Sequence, residues 1–387
     1  MNSFYWISGL LLALIWIVPV IESAIHLHRI ADITQPPWNP PQDTPLSFLT
    51  IVVPARNEAA EIESALRSLL ALDYPGVEVI AIDDRSTDET GRIMDRLSTE
   101  TGSDGKLRVL HVRELPPGWL GKTHAMWLGA QQGSSDWILF TDADCVFRPD
   151  TLRRAVHYAT SNNVDHLVLF PTAHMRTWGE RMMISFPQVV SSFILRPWRV
   201  RDANARDFIG IGAFNLVRRK AYTALGTYEA LRREVVDDLK FGQAIKKAGL
   251  RQDVVFGRDL VSLRWAEGAA GVIRNLEKNL FAFFRFRFTL VFAACLALFF
   301  VNVWPFVGLF FAPGWAKAGF AVAIVMIAVR YRQTSPLTGV PTAVFLAHPI
   351  SASLFAVAVL RSAFATIRDG GVTWRGTKYS LEELRKK

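Results

Sequence analysis

The two ends of the chain are apolar, whereas its middle mixes apolar and charged residues. Residues 4–21 contain no charged side chain, and a helix of that length, at about 1.5 Å per residue, just crosses a hydrocarbon core of about 30 Å. Near the other end, residues 289–312 and 342–360 are also long enough to span, while residues 318–329 are marginal. We therefore expect a transmembrane helix at each end of the chain.

Flanking residues set the boundaries of these membrane segments. We assign an N-terminal anchor to residues 1–22, membrane-embedded helices to residues 281–363 and a basic C-terminal tail to residues 364–387. A cleaved signal peptide is the alternative for the N-terminus, but residues 1–6 lack the Lys or Arg with which such peptides start. Residues 281–288 (FAFFRFRF) suit the headgroup boundary, because both aromatic rings and guanidiniums favour it.

The positive-inside bias conflicts with three full spans in the C-terminal part. If the middle of the chain is cytosolic and all three segments cross, the basic tail lies outside the cytosol. We therefore expect one of the three segments to be re-entrant or to lie in the interface.

A proline-rich stretch separates the anchor from the middle of the chain. Residues 23–46 carry prolines at positions 36, 37, 40, 41 and 45. Proline at this density excludes a regular helix or a central strand. The stretch is predicted to be a stiff linker.

The middle of the chain, residues 47–280, alternates short β-branched apolar runs with helical patterns. Strands are predicted at residues 46–54, 77–82 and 107–112, and helices at residues 58–72 and 89–101. This alternation predicts right-handed βαβ units in a doubly wound parallel sheet of the α/β class. Such sheets bind ligands at the carboxyl ends of their strands.

Composition supports this division and excludes several classes of protein. The chain is 50% hydrophobic with a mean hydropathy of +0.20, which is unusual for a wholly soluble protein. The net charge of +9 could indicate nucleic acid, but Arg330 and Arg332 lie beside apolar segments, where anionic headgroups explain basic residues better. We expect no nucleic-acid partner. Cys145 and Cys295 are the two cysteines, far apart, so a disulfide framework and a cysteine metal site are excluded, as in a cytosol-facing domain.

Acidic residues follow two of the predicted strands. Residues 137–140 run into Thr141-Asp142-Ala143-Asp144, where alternate side chains point to one side and both carboxylates can reach one cation. Hard oxygen ligands suit Mg²⁺ or Mn²⁺, which would bridge a diphosphate and neutralise a leaving group. An isolated D-x-D is often only a turn cap. The apolar strand before it and a second acidic strand end upstream favour the metal interpretation.

The second acidic strand end is Asp83-Asp84-Arg85-Ser86-Thr87-Asp88, after residues 77–82. Capping of the next helix explains Ser86 to Asp88. It explains the adjacent acids Asp83 and Asp84 less well, because two like charges repel at this range. A bound base edge or ribose would satisfy them.

Asp237 and Asp238 form a third acidic pair, directly before an apolar pattern at helical spacing (LKFGQAI). One interpretation is an acidic first turn stabilised by the helix dipole. The other is a general base that takes a proton from an acceptor hydroxyl. The two interpretations are compatible.

Together these motifs resemble the family 2 inverting glycosyltransferases with a GT-A fold, over about residues 47–279. The matching segments are VPARNEA at residues 53–59, IDDRSTD at residues 82–88, Gly121-Lys122, TDAD at residues 141–144 and VDDL at residues 236–239. The resemblance implies a Rossmann-like nucleotide-diphospho-sugar transferase domain that uses Mg²⁺ or Mn²⁺. It assigns nucleotide-sugar binding to Pro54, Ala55, Arg56, Glu58, Asp83, Asp84, Lys122 and Asp142, the metal to Asp142 and Asp144, and the base to Asp238 with Asp237 beside it. Where this family usually has Glu-Asp, this chain has Asp-Asp, so either carboxylate could be the inward one.

Within this family the chain resembles the branch of ceramide glucosyltransferases and hopanoid-associated glycosyltransferases. PGWLGK at residues 117–122 and WRGTKY at residues 374–379 carry that resemblance. It implies a lipid acceptor. Arg264 and Trp265 match the end of the family's Gln-x-x-Arg-Trp acceptor and diphosphate motif, but Val261 stands at the Gln position, so acceptor placement does not transfer directly.

The sequence thus predicts a membrane-bound glycosyltransferase of the cytoplasmic membrane, with a catalytic domain that faces the cytosol. Its expected partners are a nucleotide-sugar donor, a UDP-sugar by preference, a lipid acceptor and the membrane. A processive polysaccharide synthase and an inactive membrane scaffold of the same fold are the alternatives. Few spanning segments and Val261 argue against the first, and the complete set of acids argues against the second.

Overall fold

The protein divides into two compact units that interleave along the chain. The computed structural model describes residues 2–100, 105–191, 193, 195–277, 280–374 and 377–381. The helical unit comprises Met1–His28, Met175–Leu195 and Arg264–Lys387. The sheet unit comprises Arg29–His174 and Arg196–Leu263. The sequence predicted one uninterrupted domain at residues 47–280, so the assignment of Met175–Leu195 and of residues 264–280 to the helical unit differs from it.

The sheet unit is built on a seven-stranded mixed sheet with the order β3-β2-β1-β4-β8-β6-β9. Its strands are β1 Leu49–Ala55, β2 Val77–Asp84, β3 Leu107–Val112, β4 Trp137–Phe140, β6 His166–Phe170, β8 Asn215–Arg218 and β9 Gln252–Phe256. A second, three-stranded sheet contains β5 Val146–Phe147, β7 Thr172–Ala173 and β10 Val261–Leu263. Strand β8 runs antiparallel to both of its neighbours, whereas the sequence predicted only parallel pairing.

The helices are α1 Asn2–His26, α2 Ile62–Leu70, α3 Thr90–Glu100, α4 Gly121–Gln132, α5 Thr151–Ser161, α6 Trp178–Ser191, α7 Arg219–Ala224, α8 Asp237–Lys247, α9 Gly268–Glu277, α10 Leu280–Phe283, α11 Phe288–Leu298, α12 Trp304–Phe311, α13 Lys317–Thr338 and α14 His348–Arg368. The two acidic strand ends lead into loops that precede helices α3 and α5. The third acidic pair begins helix α8.

Side chains of the central strands alternate between two apolar cores, one on each face of the large sheet. Ile51 and Val53 of β1 point to the core formed with helices α2, α3 and α5. Val52 of the same strand points to the core formed with α4, α7 and α8. Because every residue of β1 is buried, the strand reads as a continuous apolar run, and its last residues are fixed in position by both cores.

The proline-rich segment packs on the sheet unit. Helix α1 extends to His26, beyond the predicted end of the anchor at residue 22. Ile33 is fully buried, and its backbone N–H donates to Phe256 O at 2.9 Å. Arg154 donates to the carbonyl of Ile33 and Arg153 to the carbonyl of Pro41. Residues 29–46 are therefore part of the sheet unit, whereas the sequence predicted that residues 23–46 form a linker.

The helical unit contains four helical segments that are long and apolar enough to cross a membrane, among the described residues. They are Asn2–Arg29, Phe288–Phe311, Gly314–Thr338 and Thr342–Arg368. The third includes residues 318–329, which looked marginal from hydropathy because polar residues follow them in the same helix. The expectation that one segment is re-entrant stays a prediction.

Helix α1 packs along α13 in this unit, and two side chains make hydrogen bonds between its segments. Trp16 donates through Nε1 to the carbonyl of Val301, at a π-helical turn Phe299–Val303. His348 bridges Tyr331 and Asn302 through its two ring nitrogens. A π-helical turn leaves carbonyls off the regular ladder, and a side-chain donor satisfies one of them here.

The aromatic and arginine run at residues 281–288 is a turn between two helices. Helix α10 ends at Phe283 and helix α11 begins at Phe288. Arg285 and Phe286 between them adopt left-handed backbone angles, with φ of 52° and 55°. Its interfacial role stays a prediction.

The C-terminal tail predicted at residues 364–387 is described only in part. Helix α14 continues to Arg368, and a hairpin of β11 Gly371–Trp374 and β12 Thr377–Ser380 follows. Residues 375, 376 and 382–387, and with them part of the WRGTKY segment, lie outside the described residues.

Candidate active site

The acids predicted at strand ends meet at one edge of the large sheet. Ala55 at the end of β1 lies beside Asp83 of β2 in the pairing register. On the other side of β1, Val52 pairs with Phe140, the last residue of β4. The polypeptide then continues directly to Asp142, so the loops after β1, β2 and β4 share the carboxyl edge at which such sheets bind ligands.

Asp83 and Asp84 have different partners although they are adjacent. Asp83 accepts the backbone N–H of Ser86 through Oδ1 at 3.1 Å, and its Oδ2 lies 3.0 Å from His111 Nδ1. Asp84 is held by the guanidinium of Arg85, with Nε 2.8 Å from Oδ1 and Nη2 3.1 Å from Oδ2. Both oxygens of Asp83 thus have partners on neighbouring segments, whereas Asp84 lies beside the guanidinium of Arg85.

Two further contacts surround Asp84. Arg56 Nη1 lies 4.0 Å from Asp84 Oδ2. A Cβ atom added to Gly121 would stand 2.1 Å from the same oxygen, so any side chain at this position would displace the Asp84 carboxylate. The Gly121-Lys122 motif therefore places the start of helix α4 directly against the Asp84 carboxylate.

The loops after β1 and β2 are joined by hydrogen bonds. Asn57 N–H donates to Ser86 Oγ at 3.0 Å, and Thr87 N–H donates to Asn57 Oδ1 at 2.8 Å. Glu58 N–H donates to Thr90 Oγ1 at 2.8 Å. Asp88 accepts the N–H of Thr90 at the start of α3, as a cap should. Glu58 and Asp84 are therefore carried on one connected structure.

Lys122 lies among three carboxylates from two separate motifs. Its Nζ is 2.8 Å from Asp142 Oδ1 and 3.6 Å from Asp237 Oδ1. Asp238 completes the group, since its Oδ2 accepts the N–H of Gly212 at 3.1 Å and Asp142 donates its own N–H to Gly212 O. The D-x-D motif and the acidic pair of helix α8 thus meet around one ammonium group.

These surroundings change the protonation of the acids. Burial raises the pKa of Asp237 to about 7, with Lys122 opposing the rise, and burial also raises the pKa of Asp238. Burial works against the charge of Lys122, but Asp142, Asp237 and Asp238 outweigh it and raise the pKa of its ammonium. Lys122 therefore stays positive, and Asp237 is partly protonated at neutral pH.

Asp237 and Asp238 differ in access to solvent. The Asp237 side chain is only 6% exposed, and its Oδ2 is buried with no hydrogen-bond partner in the part of the chain that the structure describes. Asp238 is partly exposed, and its oxygens accept backbone N–H groups of Gly212 and Leu239. An acceptor hydroxyl approaching from solvent can reach Asp238 more easily than Asp237.

Two glycines allow the motifs to approach each other. A Cβ atom on Gly210 would stand 1.7 Å from the carbonyl oxygen of Asp238, and one on Gly212 would stand 2.3 Å from Asp142 Oδ2. The partners that approach are the D-x-D motif and the start of helix α8.

Replacing Gly212 with alanine is expected to displace Asp142 and to lower sugar transfer by about tenfold to a hundredfold, because misplaced catalytic groups cost rate at that scale. The unfolding temperature should change little, since the Asp142 side chain is 37% exposed and can move. Alanine at Gly249, which has open space around it, would be the control. Gly249 has a left-handed backbone, so alanine there introduces backbone strain but no steric clash. An unchanged transfer rate in Gly212→Ala would contradict the role given to this close approach.

The carboxylates of the D-x-D motif fit a divalent cation that a nucleotide brings with it. Burial, followed by the charges of Asp142 and Glu58, raises the pKa of Asp144 to about 6. A cation would relieve that repulsion. Among the described residues there is no group of three or more metal-binding side chains. Mg²⁺ sites of this kind take their remaining ligands from substrate phosphates and water.

Arg264 and Trp265 belong to the helical unit, and their contacts there are local. Arg264 pairs with Glu180 at 3.0 Å and with Glu267 at 2.6 Å. Glu180 is fully buried and also accepts the N–H of Gly268. Trp265 accepts a hydrogen bond on its carbonyl from Asn275. Their assignment to the acceptor and diphosphate stays a prediction.

Two residues near this edge of the large sheet were not predicted from the sequence. Arg85 was treated only as part of a motif, although it is the direct partner of Asp84. His111 was not among the predicted site residues. A signal for His111 was present, since it lies near the end of a strand beside the acidic strand end.

Comparisons with known proteins identify the family of the central part of the chain. The family model "Glycosyl transferase family 2" matches residues 50–226. A curated relative, 4,4'-diaponeurosporenoate glycosyltransferase of Staphylococcus aureus (strain USA300), is 24% identical over 355 residues, which is 87% of this chain and 89% of the relative. The same enzyme from the bovine strain RF122 / ET3-1 is 24% identical over 348 residues.

Among solved structures, the mannosyltransferase PcManGT from Pyrobaculum calidifontis, in complex with GDP-Man and Mn²⁺, is similar with a TM-score of 0.53. The two chains are 19% identical, and the likeness covers 94% of this chain and 99% of that one. It concerns the fold. The predictions of the family, of the GT-A fold and of enzymatic glycosyl transfer are confirmed: residues 50–226 form a glycosyl transferase family 2 domain.

Proposed function

We propose that this glycosyltransferase is an integral membrane enzyme that transfers a sugar from a nucleotide-diphosphate donor, a UDP-sugar, to a lipid-like acceptor. The observation that carries the proposal is the meeting of Lys122, Asp142 and Asp237-Asp238 at the same sheet edge as Asp84. These are the groups that a single in-line displacement needs: a site for the diphosphate, and a base for the acceptor.

The donor would lie along the carboxyl edge of the sheet. Its nucleoside belongs to the connected loops after β1 and β2, with Pro54, Ala55, Arg56 and Glu58 on the first and Asp83 and Asp84 on the second. Its diphosphate belongs to the loop after β4. The ammonium of Lys122 stands 2.8 Å from Asp142 and would bind a phosphate oxygen that arrives there.

Asp142 and Asp144 would hold the divalent cation, Mg²⁺ or Mn²⁺, together with the diphosphate. Such a cation supplies a positive charge that stabilises the departing diphosphate. Lys122 contributes a second positive charge from the protein itself. The diphosphate gains negative charge as the sugar bond breaks, so its attraction to both positive charges increases. Interactions that are stronger in the transition state than in the ground state lower the barrier.

Asp238 would take the proton of the acceptor hydroxyl. Its partial exposure and its hydrogen bonds to Gly212 and Leu239 fix its carboxylate while leaving lone pairs free. Asp237 is buried beside Lys122, and its raised pKa of about 7 keeps part of it protonated at neutral pH. A protonated Asp237 leaves the positive charge of Lys122 available to Asp142 and to the diphosphate.

A lipid acceptor is supported by the helical unit. Four candidate membrane spans accompany one catalytic sheet, and the curated relative is named for 4,4'-diaponeurosporenoate, a lipid-related acceptor. A domain that faces the cytosol would meet nucleotide-sugars on the side where cells make them. Arg264 and Trp265 are the proposed contacts to the acceptor or the diphosphate.

Incubation of the purified protein with a radiolabelled UDP-sugar and total lipid extract tests the proposal. We expect label in the organic phase with the wild-type protein and at least a hundredfold less with Asp238→Asn, the matched control. Mass spectrometry of lipids from cells with and without the protein would then identify the glycolipid. Transfer only to water-soluble sugars would contradict a lipid acceptor, and a long polymer would indicate a polysaccharide synthase.

A further inference from the structure

His111 stands between two carboxylates at the edge of the nucleotide side of the site. It lies on the edge strand β3, beside Asp83 of β2 in the pairing register. Its Nδ1 is 3.0 Å from Asp83 Oδ2, and its Nε2 is 2.9 Å from Asp95 Oδ1 on helix α3. Both ring nitrogens therefore face a negatively charged oxygen.

This arrangement requires a charged imidazole. A neutral histidine carries one N–H, whereas an ionised carboxylate only accepts hydrogen bonds. Only the imidazolium can donate to Asp83 and Asp95 at the same time. The hydrogen bond to Asp95, partly offset by burial and helped by Asp83, raises the pKa of His111 above its usual value.

The first turns of helix α3 are shaped to fit this pair. A Cβ atom on Gly91 would stand 2.7 Å from Asp83 Oδ2 and 3.3 Å from His111 Cε1. Asp95 lies one helical turn later on the same face of the helix. The missing side chain of Gly91 thus leaves room for Asp83 and the imidazole beside helix α3, and Asp95 supplies a negative charge to the imidazole.

Asp83 transmits this contact to the loops of the site. Its other oxygen accepts the N–H of Ser86, and Ser86 Oγ in turn accepts the N–H of Asn57 in the loop after β1. Between them, Arg85 holds a left-handed backbone with φ of 58°, which costs energy in a residue other than glycine. The contacts of Asp83 help to maintain that turn, and the turn sets the position of Asp84.

We propose that His111 is a positioning residue: its positive charge holds Asp83, and through Asp83 the two loops that bind the nucleoside of the donor. The inference rests on the proposed function, since it concerns the affinity for that donor. His111 itself lies behind the acids, and its side chain is 42% exposed on the outer edge of the sheet. It acts through Asp83 and not by contact with the reacting atoms.

The proposal predicts how nucleotide affinity depends on pH. A group whose pKa is raised in the folded site contributes fully below its ordinary pKa, and this contribution is lost as the pH rises through the raised value. Asp83 on β2 and Asp95 on α3 are, among the described residues, the charged groups that face the imidazole, although both elements carry other charged residues. Affinity should therefore be highest near pH 6.5 and below, and should fall toward alkaline pH.

Calorimetric titration of the full-length protein with UDP, and with GDP in parallel, from about pH 6 to about pH 9 tests this. We expect the wild-type dissociation constant to rise about tenfold over this range, the effect of losing one charged hydrogen bond. His111→Gln keeps a donor for Asp83 but does not titrate, so its dissociation constant should lose this dependence. Arg108→Gln, on the exposed face of the same strand, is the control and should keep the wild-type profile.

A second variant keeps the test decisive if His111→Gln does not fold. Asp95 is exposed, and Asp95→Asn should move the midpoint of the profile to lower pH by removing the main support of the imidazolium. Asp144 and Asp237 also titrate in this range, but they are the same in every variant. Profiles identical to the wild type in His111→Gln or Asp95→Asn would overturn the inference alone. A wild-type protein that binds neither nucleotide at any pH would overturn the proposed function with it.

Discussion

Replacing Asp238 with asparagine is expected to lower the rate of sugar transfer by about a thousandfold, because a positioned general base contributes about a hundredfold to ten-thousandfold. Asparagine has nearly the same shape and can still accept the N–H groups of Gly212 and Leu239, so the loop should keep its position. Affinity for the nucleotide should stay within about threefold, since Asp238 faces the acceptor. Radiolabelled transfer and calorimetric binding measure the two effects separately.

Asp237→Asn is the informative comparison for this variant. Asp237 is buried and near the positive charge of Lys122, so its loss should change the pH dependence of transfer more than the maximum rate. In the wild-type enzyme transfer should increase with pH as the acidic pair, whose pKa values are raised, loses its proton. A collapse of transfer in Asp237→Asn together with near-normal transfer in Asp238→Asn would move the base to Asp237. Loss of nucleotide binding in Asp238→Asn would instead indicate a structural role.

Replacing Asp144 with alanine is expected to remove transfer that depends on a divalent cation. The protein supplies two carboxylates to such a cation, so the loss of one halves the protein's share of its ligands. The apparent affinity for Mn²⁺ measured with bound UDP should fall at least about tenfold, and hydrolysis of the donor should fall with it. Paramagnetic broadening by Mn²⁺ gives a measure of binding that does not depend on activity.

Removing the charge of Asp144 should also relieve its repulsion with Asp142 and Glu58. The folded protein should therefore be as stable as the wild type or slightly more stable near neutral pH, which distinguishes a lost ligand from a damaged fold. Asp73→Ala, at an exposed carboxylate that lies 3.9 Å from Arg153, is the matched control. Full metal-dependent transfer by Asp144→Ala would refute the metal assignment.

The sheet and the position of its site could be predicted because they follow from short-range patterns. Strand β1 is buried on both faces, so it had to be a continuous apolar run, and such runs are recognisable without any knowledge of their neighbours. Parallel strands place their carboxyl ends together. Acids that follow such runs, as Asp84 and Asp142 do, could therefore be brought to one edge from sequence alone.

Contacts that join distant parts of the chain could not be predicted in the same way. The pairing of Lys122 with Asp142 and Asp237 depends on the antiparallel strand β8 and on the close approach of Gly210 and Gly212 to their partners. Nothing in the local pattern of residues 215–218 indicates the direction of that strand. His111 was missed for the same reason: it acts through the neighbouring strand and a helix.

The boundaries between the two units also could not be predicted from local sequence patterns. Residues 175–195 were assigned to the middle domain, and helix α6 in this stretch carries Glu180 and contains Pro187. The buried ion pair of Glu180 with Arg264 ties this helix to a segment that begins many residues later. A hydropathy pattern indicates whether a segment is exposed to water or to an apolar environment, but not which distant segment it packs against.

The interleaving of the two units has a consequence for how the protein is made. The helical unit receives its first segment before the sheet unit begins, its second from within the sheet unit's sequence, and its third after the sheet unit is complete. During synthesis, helix α6 must therefore wait for residues from Arg264 onward before its buried Glu180 is neutralised. Its main packing partners, α9 and α14, also lie in that later segment, so removing the C-terminal part of the chain would leave this helix without them.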